Sequence, residues 1–287
     1  MNVLNIGSLN IDLVNRVDHI VRPGETAPVL SFARFAGGKG LNQSVALARA
    51  GAEVLHAGAI GADGLFLKEL LESEGAECSG IAVLNDVPTG YALIQVAKDG
   101  ENAILVNGGA NHAVTPELAE KALARMTSGD ILLLQNEISS LPEIFRSAAA
   151  KGLRIFFNPS PLTPEIAELP LELADTLLVN EEESAALRAA VPERFAACNT
   201  VTTKGARGAE FRSPGGETVF VPAFPAPKVV DTTGAGDTFT GFYVAAIARG
   251  EGVRQALTEG AAAAAIAVSR PGAAAAIPRR SELEICK

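Results

Sequence analysis

Short β-branched or leucine-rich runs alternate with alanine-rich segments of helical period along most of this chain, and that alternation admits few architectures. Runs at 3–6, 54–57, 131–134, 155–157, 177–179 and 201–203 read as buried strands. Helical periodicity follows at roughly 40–50, 66–74, 116–126, 141–150 and 182–190. Strand and helix in repeated succession predict an α/β fold, a doubly wound and mostly parallel sheet flanked by helices. Hydrophobic residues are 48% of the 287, enough to cover both faces of such a sheet.

The rhythm breaks twice. Between 12 and 36, and again between 81 and 107, strand-like runs follow one another without a helix. Turn signals separate them at Arg22-Pro23-Gly24, at Asn85-Asp86 with Pro88, and at Asp99-Gly100. Two surface hairpins would explain the pattern. So would a small sheet that projects from the main one and hinges at Gly37-Gly38 and Gly108-Gly109.

Charge and cysteine usage exclude several classes. A net charge of −9 argues against a nucleic-acid or anionic-membrane partner. Cys78, Cys198 and Cys286 are odd in number and widely spaced, so neither a disulfide framework nor a zinc site is expected. No basic region precedes the first apolar stretch, and the apolar run 261–268 is too short to span a bilayer. The expectation is a cytoplasmic protein.

Chemistry concentrates in two glycine-rich segments. Asp231-Thr-Thr-Gly-Ala-Gly-Asp237 runs directly into an apolar helix. Small residues at 234–236 let backbone N–H groups face an anion, and the helix dipole favours negative charge there. Asp237, in the first turn, is placed to accept a proton from a hydroxyl beside that cradle. Read alone, the segment fits a glycine turn with a first-turn acid equally well. The second segment is Gly37-Gly-Lys-Gly-Leu-Asn-Gln43, preceded by Asn10-Ile-Asp12. It is no Walker A sequence, and alone it is more often a tight turn with a solvated lysine. With Asn10 and Asp12 it offers amides, a carboxylate and an ammonium, a set suited to a polyhydroxylated ligand. A dinucleotide fingerprint is absent, because the first strand is followed by Gly7-Ser-Leu-Asn10.

In this order and at this separation, the two motifs resemble the ribokinase family of carbohydrate kinases, the phosphofructokinase-B superfamily. The resemblance spans essentially the whole chain as one kinase domain, 1–287, and favours the ribokinase branch over the fructokinase and adenosine kinase branches. It implies a small β-sheet lid built from about 12–36 and 81–107, and ATP-dependent phosphorylation of a sugar, D-ribose to ribose 5-phosphate. It places Asn10, Asp12, Gly38, Lys39, Asn42 and Glu137 on the sugar, with Asp237 as base and Gly234, Ala235 and Gly236 as anion hole. Asn180 and Glu183 match a motif that organises Mg²⁺ and phosphates, the metal reached from Glu183 through water. Thr203, Lys204, Gly205, Ala206, Arg207 and Gly208, with Gly236, correspond to the nucleotide site. A potassium site is implied at Asp231, Thr233, Ala267, Arg270 and Gly272, and a homodimer through the lid. Singly, Glu183 reads as a solvated helix acid, Glu137 as a helix cap and Arg207 as a surface charge.

The chain departs from the family pattern in three places. The stretch 183–200 is short, trimming a helix; Ala261 stands where a histidine or asparagine is common near adenine; and Ala276 stands where the cation site takes a hydroxyl. The competing readings are a kinase for another sugar or a nucleoside, and a sugar-binding sensor without catalysis.

Overall fold

The structure, a computed structural model, describes residues 1–226 and 228–283. From the N-terminus, β1 (Val3–Ile6), β2 (Asn10–Arg16) and β3 (Ser31–Gly37) precede α1 (Lys39–Arg49). Then come β4 (Val54–Gly61), α2 (Leu65–Ser73), β5 (Glu77–Leu84), β6 (Gly90–Val96) and β7 (Asn102–Asn107). The middle of the chain holds α3 (Pro116–Leu123), β8 (Ile131–Gln135), α4 (Leu141–Ala150), β9 (Arg154–Asn158), β10 (Thr176–Asn180) and α5 (Glu181–Ala190). It continues through α6 (Pro192–Ala196), β11 (Asn199–Thr203), β12 (Ala209–Arg212), β13 (Thr218–Val221), α7 (Ala235–Ala248) and α8 (Val253–Ala267).

Among the described residues, the order β13-β12-β11-β10-β9-β8-β1-β4-β5 forms a nine-stranded sheet. Its pairs are parallel from β11 to β5, and antiparallel where β12 and β13 close one edge. Pleating splits each buried strand between two cores. Ile131, Leu133, Phe156 and Leu178 face α1, α2, α7 and α8, while Leu132, Leu134, Phe157 and Val179 face α3 to α6. Continuous apolar strands therefore sit where both faces are covered, as their composition predicts.

The helix expected at 116–126 ends at Leu123, because 125 and 126 close by i→i−3 bonds to the carbonyls of Ala122 and Leu123. The five-residue α6 fills the shortened stretch after α5. Cys78 and Cys198 are free and buried, and Cys286 lies outside the described residues. Among the described residues no helix is long and apolar enough to cross a membrane.

The two breaks in the rhythm pair with each other, β3-β2-β6-β7, in a four-stranded sheet. Its share of the second excursion starts at Gly90, not at 81. Residues Ile81 to Leu84 stay in the main sheet, paired parallel to Gly58–Gly61, and Ile81 is buried there. On this small sheet Phe35, Ile104 and Val106 lie on the same face as Asp12 and are exposed.

Helix α7 is buried almost throughout, from Asp237 to Ala248. It reaches α1 across Gly241, where an added Cβ would stand 2.3 Å from Ala46 Cβ and 2.9 Å from the Gln43 carbonyl oxygen. Glycine permits this approach, and the approach sets the first turns of α1 and α7 side by side. Gly241→Ala therefore overpacks the contact. We expect it to lower stability by about 1–3 kcal/mol, read as a Tm several degrees lower. An unchanged Tm would show that α1 and α7 can part without loss.

Candidate active site

The strand order reverses beside β1, whose neighbours are β4 on one side and β8 on the other. Ligands of open α/β sheets bind at such a switch point, beyond the carboxyl ends of the strands. Here those ends present Ser8, Gln135 with Glu137, Asn158, Asn180 and Thr203, and α1 and α7 begin among them.

Asp237 is the centre of the group. It is 7% exposed, and its two oxygens accept from different amides: Oδ2 from Asn42 Nδ2 at 3.0 Å and Oδ1 from Gln43 Nε2 at 2.9 Å. Lys39 opens α1 and lines the same cavity, about 170 Å³, together with Asn158, Asn180, Glu183 and Gly236. The Asp237 carboxylate holds the Lys39 ammonium above its ordinary value against the opposing effect of burial, with Glu137 and Glu183 assisting. At the start of α7, Gly234 is left-handed, with φ of 72°. The Ala235 N–H is turned to the Thr232 carbonyl at 3.3 Å. The first-turn N–H groups of Gly236 and Asp237 have no carbonyl four residues back within the helix, so they remain for an anion.

Of the six residues expected on a sugar, Lys39 lines the cavity that holds Asp237, Asn42 bonds that carboxylate and Glu137 bonds the Lys39 N–H. Glu137 Oε2 accepts from the Ser8 hydroxyl and, at 3.0 Å, from the Lys39 N–H. Burial pushes the Glu137 carboxyl upward, opposed by Ser8 and Lys39. Asn10 Oδ1 accepts from Asn111 Nδ2 at 2.7 Å, which fixes its amide at the root of the small sheet. The Asp12 carboxylate lies directly on Gly37, where a Cβ would stand 2.3 Å from Oδ2, so only glycine leaves it room. Burial, with the nearby Glu137 charge adding, pushes Asp12 from 3.8 up to about 6. Gly38, at φ 91°, turns the chain from β3 into α1.

A second cleft of about 950 Å³ adjoins the first and shares Asn180, Thr203, Gly236 and Phe239 with it. Gly205, Ala206 and Gly208 lie along it, and Ala261, Ala264, Ala265 and Val268 of α8 and its end form an apolar wall. The structure brings six of the eight expected nucleotide residues here, Asn180, Thr203, Gly205, Ala206, Gly208 and Gly236, but turns two side chains elsewhere. Lys204 Nζ pairs with Glu210 at 2.9 Å, and Arg207 pairs with Glu181. Neither cation is among the residues lining the cleft. The reason is local: a nearby carboxylate captures each.

Asn180 and Glu183 form a reciprocal capping box at the start of α5, with bonds of 2.8 and 2.9 Å. Glu183 also lines the cavity that holds Asp237. Among the described residues no three His, Cys, Asp or Glu side chains cluster as a metal cage. The cavity carboxylates, Glu183 and Asp237, suit Mg²⁺ all the same, since that ion is bound by one or two carboxylates, water and substrate phosphates. Asp231 joins two loops, accepting from the N–H of Thr233 at 2.9 Å and of Gly272 at 3.0 Å. The Arg270 side chain pairs outward with Glu282, and the Ala267 carbonyl accepts the Arg270 N–H, so the loops offer mainly backbone oxygen. Ala276 is buried and has no side-chain oxygen.

Sequence reasoning left out Asn5, Gln43, Asn111, Gln135 and Asn158 as site residues. The signal was present: each of Asn5, Gln135 and Asn158 is an amide in or ending an apolar strand, as in Leu4-Asn5-Ile6 and Leu134-Gln135. An amide at such a position must find partners inside the fold.

The description "pfkB family carbohydrate kinase" matches residues 1–280 of the chain. A ribokinase of Haemophilus influenzae is 35% identical, the match covering 96% of this chain and 95% of the relative. One from Bacillus subtilis is 34% identical over 99% and 98%. Among solved structures, Cryptococcus neoformans ribokinase in complex with ADP superposes with a TM-score of 0.87 at 34% identity, covering 100% and 99%. Arabidopsis thaliana ribokinase complexed with ribose and ATP gives 0.87 at 28% identity, covering 98% and 97%. Matched over nearly all its length by the family and by relatives above 30% identity, the chain belongs to the pfkB family of carbohydrate kinases.

Proposed function

We propose that this chain transfers the γ-phosphoryl group of ATP to a sugar hydroxyl, taking D-ribose to ribose 5-phosphate. One observation carries the reading. A small polar cavity holding Asp237 and a larger, partly apolar cleft meet at Gly236, on the first turn of α7. A nucleoside fits the large cleft and a hydroxyl the small one, with the phosphoryl group passing where they join. The complexes of ribose, ATP and ADP with related kinases support it.

In this mechanism Asn10, Asp12, Gly38, Lys39, Asn42 and Glu137 hold the sugar through directional hydrogen bonds. Asp237 accepts the proton of the acceptor hydroxyl as its oxygen bonds to the γ-phosphorus and the bond to ADP breaks. Negative charge on the transferred group meets the N–H groups at the start of α7 and the Lys39 ammonium, which act by position rather than by covalent chemistry. Mg²⁺, held near Glu183 through water and by the phosphates, would neutralise phosphate charge. K⁺, held by Asp231 and the carbonyls of its neighbouring loop, would steady the turn before α7.

Asp237→Asn should leave ribose binding within a few-fold and reduce kcat by about 10²–10⁴. Turnover within about threefold of wild type removes Asp237 as the base. A panel of pentoses, hexoses and nucleosides tests the acceptor separately. Higher kcat/KM for a hexose or nucleoside would overturn ribose while sparing the kinase.

Asp12 generates a pH dependence with two opposite signs. Its folded value near 6 lies above the ordinary 3.8, so the native state holds an extra proton between them. Stability therefore falls as pH rises through that window. Ribose binding should strengthen over the same range, because the ionised carboxylate accepts more hydroxyl donors. We expect KM for ribose to fall from pH 5 to 7 in the wild type, and Asp12→Asn to lose both trends. A flat wild-type KM across pH 6 would take Asp12 off the sugar.

Potassium should activate the enzyme, at a higher half-activating concentration in the wild type than in Ala276→Ser, which regains a side-chain oxygen. KCl titration at constant ionic strength decides. Equal concentrations would place Ala276 away from the ion, and full activity without potassium would dispense with the site.

A further inference from the structure

Asp237 is joined to the interior of the main sheet by an unbroken run of buried amides. Gln43 Nε2 donates to Asp237 Oδ1 at 2.9 Å and to Asn158 Oδ1 at 3.1 Å, while Gln43 Oε1 accepts from Gln135 Nε2 at 2.7 Å. Gln135 Nε2 also donates to Asn5 Oδ1 at 3.0 Å. Asn5 Nδ2 in turn donates to the Gly40 carbonyl and to Ser44 Oγ, both at 2.8 Å. Asn5, Gln43 and Gln135 are fully buried.

A side-chain amide can reverse with little change of shape, so its direction must be set by a group that cannot reverse. Two backbone carbonyls do this here. The Leu178 carbonyl accepts from Asn158 Nδ2 at 2.9 Å, which turns the Asn158 oxygen toward Gln43. The Gly40 carbonyl takes Asn5 Nδ2, which turns the Asn5 oxygen toward Gln135. Gln135 must answer that oxygen with its NH₂ group, and the same group reaches Gln43 Oε1. Gln43 then has only its NH₂ group left for Asp237.

We infer that Gln135 and Asn5, neither of which touches Asp237, are positioning residues that keep an N–H donor of Gln43 aimed at its carboxylate. A second observation fits. Gln135 Oε1 is buried without a hydrogen-bond partner, a cost that packing alone gives no reason to keep. A leucine on β8 would avoid it, and would take from Gln43 Oε1 the donor that fixes that end of its amide. The inference rests on Asp237 as the base. The charged groups facing Asp237 are Lys39 from α1, Glu137 beyond β8 and Glu183 from α5, and replacement at 135 leaves all three in place.

The test is kcat and kcat/KM for ribose against pH in the full chain, for Gln135→Met and Gln135→Glu, with Asp237→Asn alongside and Tm recorded. Gln135→Met keeps the length and removes the donor. It should lower kcat about tenfold, the scale of one hydrogen bond to a charged group. The acid limb of the profile should move to higher pH, because a carboxylate that loses a donor binds its proton more tightly. Gln135→Glu can donate only while its own carboxyl is protonated, so its turnover should approach wild type on the acid side and fall as pH rises. Profiles of wild-type shape in both variants, whatever their Tm, would reduce Gln135 to a packing residue. If Gln135→Met does not fold, the profile of Gln135→Glu decides alone. Wild-type turnover in Asp237→Asn would remove the base itself, and the relay with it. Loss of turnover there with unchanged profiles at 135 would overturn the relay only.

Discussion

A carboxylate almost removed from water has to be satisfied by the protein, yet one proposed as a base must keep access to the hydroxyl it would serve. Asp237 meets both demands by taking one amide on each oxygen, from Asn42 and Gln43 on consecutive positions of α1. Much of the molecule follows from that requirement. Helices α1 and α7 must begin side by side, which needs the close approach at Gly241 and Ala46. Helix α1 must also start against the end of β1, where Gly40 leaves no space for a Cβ beside the Ser8 N–H. The site is thus a meeting of helix starts at the point where the sheet changes direction, and glycine stands at the closest approaches.

Charge at the site is arranged on the same economy. The protein carries an excess of acidic residues, and three carboxyl groups, Asp237, Glu137 and Glu183, act on one ammonium, Lys39. An anionic co-substrate would be repelled by such a set without local compensation. In the proposed mechanism the N–H groups at the start of α7 would supply part of it, Lys39 a further part from within the cavity, and Mg²⁺ the remainder. The basic residues closer to the large cleft, Lys204 and Arg207, are neutralised by Glu210 and Glu181. Their pairing shows why a cation near a glycine-rich loop is a poor guide to phosphate contact.

Several parts of the fold were legible because they rest on neighbours in the chain. Apolar runs such as Ile131–Gln135 announce strands covered on both faces, and Leu141–Ala150 announces its helix by period. The capping box of Asn180 and Glu183 is equally local, three residues along a helix start bringing each to the other's backbone, yet in the sequence Glu183 by itself reads as a solvated helix acid. The small sheet was legible as two helix-free excursions, but its boundary was not. Glu77–Leu84 has the composition of an edge strand in either sheet, and only its pairing with β4 decides between them.

The sequence by itself determined the α/β class, the glycine turn that opens α7 with an acid in its first turn, and the residue types of the site. Hydrophobic period, turn chemistry and caps act over a few residues, so one sequence suffices to read them. Tertiary structure decided which of these groups meet. Asn42 and Asp237 stand 195 residues apart, Gln135 and Asn5 stand 130 apart, and Ser8 reaches Glu137 across 129. The raised carboxyl of Asp12 exists only once β2 carries it over Gly37 and near Glu137. Hydrogen bonds and burial are properties of places in space, and a buried amide acquires its direction from carbonyls that the chain brings to it only by folding.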